Sequence, residues 1–584
     1  MFNQYYLDEL QFLRELGEEF ARAHPNVGHY LSGPSRDPDV ERMLEGFAFL
    51  SARVRQKLDD EFPELTHGLF RLMWPHYLRP VPSMAILEMT PVQQALRQTQ
   101  TIARGCEVDS IEVEGATCRF RTTSDVILQP IQLEDVAHET RTNGLSRLRL
   151  GFKLLNRAKA ETLDLRRLRL FLHGDPAVTF ALYFHLCRNV EEVRVVNGGE
   201  INDRVAAPYA TLGIEPAGFG DDEALLPYPP ASFPGYRHLQ EYFALPEKFL
   251  FLDLVGLEKL VTLEPGERFS IDIRFDRALP ASLRPTREDV RLYCTPIVNL
   301  FAHEADPIRL DRTQTEYRVR PSGADPMHYE IFDIVRVAAH TPGEGEEREL
   351  ADFYAFGHGG GGEPRTSFFP RLRPSVVDDR LDTYLSFVDA HGTPMPFEAE
   401  TVTLDITATN RRLPEGLRVG DIKTPTGSSP AFVQFRNITA PTRSVMPPLG
   451  GDLQWRLISH LSLNYVSLAD VHALRGVLEL YNYQALRDPR AARANALRLE
   501  GLHAVRAEPA EALVRGALVR GTAITVDALE DRFTGEGDLF LFATLLNEFL
   551  SLHGTLNSFT QLTVRGLQQG EVTTWPYRIG RDPL

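Results

Sequence analysis

Cysteine is scarce in this chain, with four in 584 residues: Cys106, Cys118, Cys187 and Cys294. Their wide scatter forms neither a CxxC metal knuckle nor the dense framework of a disulfide-stapled secreted domain, and it fits a reducing compartment. Long apolar runs are missing too. The richest window, Leu539 to Leu552, is interrupted by Asn547 and Glu548, so nothing approaches the ~18–20 apolar residues of a membrane-crossing helix. At the amino terminus, Asp8, Glu9 and Glu15 stand where an export signal needs a basic start and an unbroken apolar core. These absences predict a soluble, cytoplasmic chain with no direct membrane insertion. Positive charge is also short: 63 Lys and Arg against 80 Asp and Glu leave a net charge of −17. Phosphate backbones attract basic faces, so nucleic acid is not an expected partner.

Catalytic signatures are equally thin. The chain has no GxxxxGK[ST] loop, HExxH helix or GxSxG elbow. Gly357, Gly359 and Gly362 match GxGxxG, but no βαβ unit surrounds them, and a glycine run matches many glycine patterns by chance. A surface loop or linker is the expected reading of that stretch, residues 356–365. His185 and Cys187 would share a face on a strand and could ligate a metal there, yet Leu182, Tyr183, Phe184 and Leu186 around them favour core residues. The acidic run Asp221-Asp222-Glu223 reads as a solvated loop, and Asn437-Ile438-Thr439 as a glycosylation sequon without meaning in an unsecreted chain. No catalytic residue, cofactor or metal is therefore expected.

What the chain does contain is enough apolar residue, 43% of the total, to build several cores. At roughly 100–200 residues per domain its length suggests about three or four units. The first residues are helical in pattern: Tyr6, Leu10, Leu13, Gly17 and Phe20 recur in steps of four and three. A longer helix is expected from Asp37, a candidate cap followed by Pro38, to about Glu61, roughly 36 Å at ~1.5 Å per residue. Along it Val40, Leu44, Phe47, Ser51, Val54 and Leu58 form one face, widened by Met43 and Leu50. A third, short helix carries Leu65, Leu69, Leu72 and His76 before Pro80 and Pro82. Phe47, Phe49, Phe62, Phe70, Trp74 and Tyr77 make this region unusually aromatic. Such a seam must bury itself, either as a hairpin on the chain's own β domain or in a bundle with other chains.

Beyond Ser83 the period falls to two. Leu148-Arg-Leu150-Gly-Phe152, Leu168-Arg-Leu170 and Phe269 to Phe275 alternate as half-buried strands, and Val193 to Val196 before Asn197-Gly198-Gly199 resembles a hairpin. The proline-rich run Leu226 to Gly235 reads as a loop or boundary, with a short helix near Leu239 to Leu245. Alternation resumes at Val402, Leu404 and Ile406, and helical spacing at Leu468 to Tyr483 and Leu539 to His553. The expected fold class is α+β multidomain: a helical arm over 1–83, a β-rich, sandwich-like domain with a short helix over 84–300, a second β-rich unit over 301–440, and a mixed α/β region over 441–584.

The segment Asp37 to Ser83 resembles the signature of the TssF family, also called ImpG or VasA, of bacterial type VI secretion baseplates. The resemblance continues through Glu18 to Pro25 (EEFARAHP), Tyr293 to Phe301 (YCTPIVNLF), Asn410 to Pro414 (NRRLP), Trp455 to Asn464 (WRLISHLSLN), Asn557 to Thr560 (NSFT) and Trp575-Pro576. It implies a structural, non-enzymatic role in which two copies join TssG in a wedge with TssK, six wedges surround the spike and hub, and TssE and the sheath attach. It also implies a position on the cytoplasmic side of the inner membrane, reached through the baseplate. On this basis Leu10, Leu13, Phe20, Leu44, Phe47, Leu50, Val54, Leu58 and Trp74 are the expected partner-interface residues. The alternatives are an acidic β-rich hydrolase acting on carbohydrate through paired carboxylates, and an adaptor that recruits effectors to the spike.

Overall fold

A computed structural model of the chain describes every residue except 1–4, 14–37, 60–62, 93–94, 142–143, 157, 159–162, 198–211, 230–231, 258–267, 281–282, 311–313, 324, 326, 341–346, 354–366, 376–379, 389–400, 448–456, 458–469, 515–516, 553, 555–557 and 581–584. It divides into two units, Met1–Leu78 with Pro448–Ser462, and Arg79–Pro447 with Leu463–Leu584. The first is helical in its described parts: residues 5–13, Pro38–Asp59, Pro63–Met73 and a 3-10 turn Pro75–Leu78.

The second unit is built on a six-stranded antiparallel sheet in the order Ile422–Pro425, Glu107–Val113, Ala116–Thr122, Cys294–Val298, Met84–Pro91, Val433–Asn437. Its strands come from both sides of residue 300, so remote segments share one sheet. A second sheet, Ile131–Thr140, Ser146–Leu154, Arg268–Phe275 and Val190–Asn197, follows the expected alternation in its second strand. There Leu148, Leu150 and Phe152 point to the core, while Arg147 and Arg149 pair with Glu139 and Asp135 on the other face. Arg268–Phe275 departs from the half-buried expectation: Ser270 and Asp272 are buried as well. Asp272 carries its charge inside by accepting from Arg274 at 3.1 Å. Val190–Asn197 pairs with this strand; the turn and return strand of the expected hairpin, 198–211, lie outside the described residues.

Residues 301–409 contribute two further four-stranded sheets, one containing Phe301–Arg309, Thr401–Thr409 and Glu330–His340, the other Leu381–Val388 and Ser367–Pro374. Val402, Leu404 and Ile406 meet Leu385, Phe387 and Phe368 in a single core between them. The glycines of 356–365 lie outside the described residues. In the C-terminal region, the hairpin Leu502–Val514 and Ala517–Ala528 pairs with Ser558–Gly566.

The helix Glu536–Leu552 was expected to bury one face; it buries every side. Phe540, Leu541, Leu545 and Leu550 are as enclosed as Leu539, Phe542, Leu546 and Phe549. Phe540 packs edge-on to Phe184 at 5.3 Å, and Phe542 and Phe549 meet Tyr242 and Tyr236 at 5.8 Å each. Those partners come from the helices Pro176–Arg188 and Pro234–Ala244. The crossing is close enough to require glycine at 537, where a Cβ would stand 2.0 Å from the Phe180 carbonyl. The helix Pro234–Ala244 starts inside the run read as a loop, because a proline suits the first helical position.

Ionic groups are buried beside this helix in pairs. Lys248 contacts Glu241, both inaccessible to solvent, and Arg237 reaches Asp221 at 2.7 Å. Glu223 accepts the Gly218 and Gly220 amides at 2.8 and 3.1 Å and contacts Arg169. The acidic run is thus only partly the solvated loop expected: Asp221 is exposed, while Glu223 is folded into a charge network. Burial drives the imidazole of His238 down to about 3, aided by the nearby Lys248 and Arg237 charges, so it is neutral at physiological pH.

Candidate partner interface

The helix Pro38–Asp59 begins with proline, as expected, although Asp37 itself lies outside the described residues. Its interior-facing side is made of small residues: Ala48 and Ala52 are fully buried. On the same side, Glu9 of the first helix accepts from the Ser51 hydroxyl at 2.9 Å and from Arg55 at 2.8 Å. The Arg55 hydrogen bond, seconded by Ser51, holds the Glu9 carboxyl below its ordinary range. Leu10 is buried, and Leu13 and Leu44 are half-buried.

The large apolar residues face the other way. Met43 is 75% exposed, and Phe47, Leu50 and Val54 are each 61% exposed. Steps of four, three and four place these side chains within about 60° of one another around a 3.6-residue helix, so they form one continuous stripe. The expected seam is therefore split in two. Leu44 and Ser51 turn inward, and Phe47 and Val54 turn outward with Met43 and Leu50 as full members of the outer face. Sequence spacing missed this because it ranked side chains by apolarity, whereas the close helix contact selected the small residues Ala48 and Ala52.

The short helix Pro63–Met73 shows the same division. Phe70, Trp74 and Tyr77 are buried as a cluster of rings 5.8–6.4 Å apart, geometry favoured by the ring quadrupoles. Of the residues that mark this helix in the sequence, Leu69 and Leu72 are exposed together with Met73, while His76 is buried. Trp74 thus builds the arm from within. Of the remaining expected interface residues, Phe20 and the side chain of Leu58 lie outside the described residues, as do the side chains of Val40 and Leu65.

The candidate ligands read from the sequence do not come together. His185 and Cys187 lie on the helix Pro176–Arg188 rather than a strand; at 100° per residue they point in different directions. His185 bonds Asn189 at 3.1 Å, and burial lowers its pKa. Among the described residues no group of three potential metal ligands converges, and no helix is long and apolar enough to cross a membrane. Asn437 of the sequon is fully buried; its amide donates to the Arg418 and Thr439 carbonyls and accepts from Gly420 and Ile422.

The helix Pro38–Asp59 thus keeps Ala48 and Ala52 inside and turns Met43, Phe47, Leu50 and Val54 to solvent. The family model described as "Type VI secretion system, TssF" matches residues 1–582. The chain belongs to this family. It is 33% identical to the Type VI secretion system component TssF1 of Pseudomonas aeruginosa, with 99% of each chain aligned. It also resembles a chain of the type VI secretion system TssK-TssF-TssG baseplate subcomplex solved by cryo-electron microscopy, with a TM-score of 0.76 and 32% identity over 93% of this chain and 99% of that one. A chain of another type VI baseplate complex matches at a TM-score of 0.63 and 29% identity over the whole of both.

Two of the family landmarks read from the sequence meet in space. Asn299 of YCTPIVNLF donates to Asn410 of NRRLP at 2.8 Å, and the Asn410 amide N–H donates back to Asn299 at 2.7 Å. Asn410 also accepts from the Arg119 backbone at 3.0 Å. Tyr293, at a positive φ of 57°, donates to the Gln129 and Ile131 carbonyls. The Asn299–Asn410 clasp ties the central sheet to the following β unit.

Proposed function

We propose that this chain is a non-enzymatic structural subunit of a type VI secretion baseplate wedge. It assembles through its helical arm with TssG and a second copy of itself, and joins TssK in a platform that receives the spike and hub, TssE and the sheath. In this reading residues 1–83 act as the arm, and 84–300, 301–440 and 441–584 as successive parts of the body. The platform stands on the cytoplasmic side of the inner membrane. The observation that carries the reading is the outward stripe Met43, Phe47, Leu50 and Val54, in a chain whose family and full-length structural relatives are baseplate components. Burying one such side chain contributes about 1.5–3 kcal/mol, so four in register support a durable helical contact.

Co-expression with the TssG and TssK of the same system, followed by native mass measurement, tests this. The unaltered chain is expected in a complex containing more than one copy of itself. Phe47→Asp with Val54→Asp is expected to leave a folded but solitary chain, with thermal unfolding of the body unchanged. A complex that survives the double substitution would remove the stripe from the interface.

A further inference from the structure

The hairpin Leu502–Val514 and Ala517–Ala528 continues after its third strand has stopped. Ser558–Gly566 starts opposite Arg520, so among the described residues the outer end of the ribbon has only its own two strands. Register and alternation assign the two faces of that end. The first continues the face whose inner part, Ile524 and Val526, is buried in the body, and it ends on Leu513 opposite Leu518, 69% and 66% exposed. The second carries Ala510 opposite Gly521 and Ala512 opposite Val519, none of them buried. The turn at 515–516 lies outside the described residues. Both faces thus present apolar side chains at the end of a ribbon that, as two strands alone, is marginally stable until covered.

The chemistry of the ribbon narrows what can cover it. Its open edge is poorly suited to an added strand, because Pro509 lacks an amide hydrogen and Arg506, Glu508 and Glu511 put charges along it. A charged partner has little to pair with: Glu511 and Arg520 stand opposite each other, 3.6 Å apart, on the leucine face. Two copies meeting tip to tip would bury four leucines, about 100 Å² apiece, which falls short of the ~1,000 Å² of a stable specific interface. Larger burial requires contact with both faces at once, and the small side chains of the second face let a wall approach it closely.

Resting on the assembly role proposed above, we propose that the end of this ribbon is a finger that inserts into an uncharged apolar cleft on a different protein of the assembly. Leu513 and Leu518 meet one wall and Ala512 and Val519 the other, with the walls about 20 Å apart, twice the ~10 Å of face-to-face sheet packing. Cysteine reporters on opposite faces, Ala512→Cys and Leu513→Cys in the full chain, test this through their rates of maleimide labelling. Three of the four native cysteines are buried, and the unaltered chain supplies the background rate. Both reporters are expected to label readily in the lone chain. In the complex co-expressed with the TssG, TssK and TssE of the same system, its formation verified by native mass, both are expected to slow by at least about tenfold, since labelling then tracks the open fraction. Adding Leu518→Asp, an exposed substitution, is expected to restore both rates while the arm keeps the complex together and the melting temperature of the lone chain is unchanged. A verified complex in which both reporters label as in the lone chain, or in which only Leu513→Cys is protected, would overturn the cleft. Protection that grows with concentration in the lone chain would assign the tip to a second copy and overturn it too. Each of these results leaves the wedge reading standing, because that is judged by the mass of the complex.

Discussion

In the arm, the helix Pro38–Asp59 turns Phe47 and Val54 to solvent and Ala48 and Ala52 inward; in the body, the helix Glu536–Leu552 encloses Phe540, Phe542 and Phe549 on all sides. The body even takes charges inside, pairing Lys248 with Glu241 and Arg498 with Asp538 at 3.0 Å. It encloses these groups within one chain, although it too exposes large side chains elsewhere, Leu513 at 69%, Leu518 at 66% and Val335 at 65%. Among its described residues the arm holds its inner face through Glu9, Ser51, Arg55 and the ring cluster at Phe70. An assembly subunit gains from this contrast, because a self-sufficient body can be made first and an arm with exposed large side chains can then be covered by a partner.

The contrast breaks most severely at the buried pairs. Glu241→Leu leaves Lys248 buried without its carboxylate, and about 3–5 kcal/mol of stability should disappear from a denaturant titration of the body. Adding Lys248→Met should restore most of it, and a non-additive double-mutant cycle is the check. Next comes the inner face of the arm: Ala52→Leu inserts volume where no space exists and should destabilise the arm by about 1–3 kcal/mol, read as faster amide exchange over residues 5–13 and 38–59. The outer face should behave oppositely. Leu50→Asn is expected to change the stability of the lone chain by less than about 0.5 kcal/mol while weakening its capture by TssG. A large loss of stability in the lone chain would mean that Leu50 is already covered.

The smallest effect concerns acid. The folded Glu9 carboxyl lies below its ordinary value of 4.5, so its bonds to Ser51 and Arg55 contribute stability that is fully present above pH 4.5 and lost as pH falls through the folded value. Amide exchange in residues 5–13 should quicken on acidification below pH 4.5, and Glu9→Gln should flatten that dependence. Unchanged exchange down to pH 3 would remove Glu9 as the clamp.

Much of the architecture was legible where one face of a strand meets a core and the other does not. Leu148, Leu150 and Phe152 alternate as written, and Val402, Leu404 and Ile406 line a core as expected. Reading failed where both faces are covered or the element type differs. Asp272 and Ser270 look like an outer face until both are seen to be buried, and His185 and Cys187 look like strand partners until the helix Pro176–Arg188 separates them. In the arm, periodicity located the apolar residues without revealing which of them its own chain would cover.

By itself the sequence determined that the chain opens with aromatic helices, continues mainly as β structure, lacks the common catalytic signatures, and carries the composite motifs of its family. Those properties follow from local periodicity, proline and glycine placement, and residue identity, all of which are written along one dimension. Only the tertiary structure decided that Met43, Phe47, Leu50 and Val54 face outward while Ala48 and Ala52 face inward, that Asn299 and Asn410 clasp each other across 111 residues, and that Leu513 and Leu518 meet at an exposed hairpin end. Helix contact distance, close packing and the pairing of buried polar groups depend on which remote surfaces meet, and no local pattern contains that information.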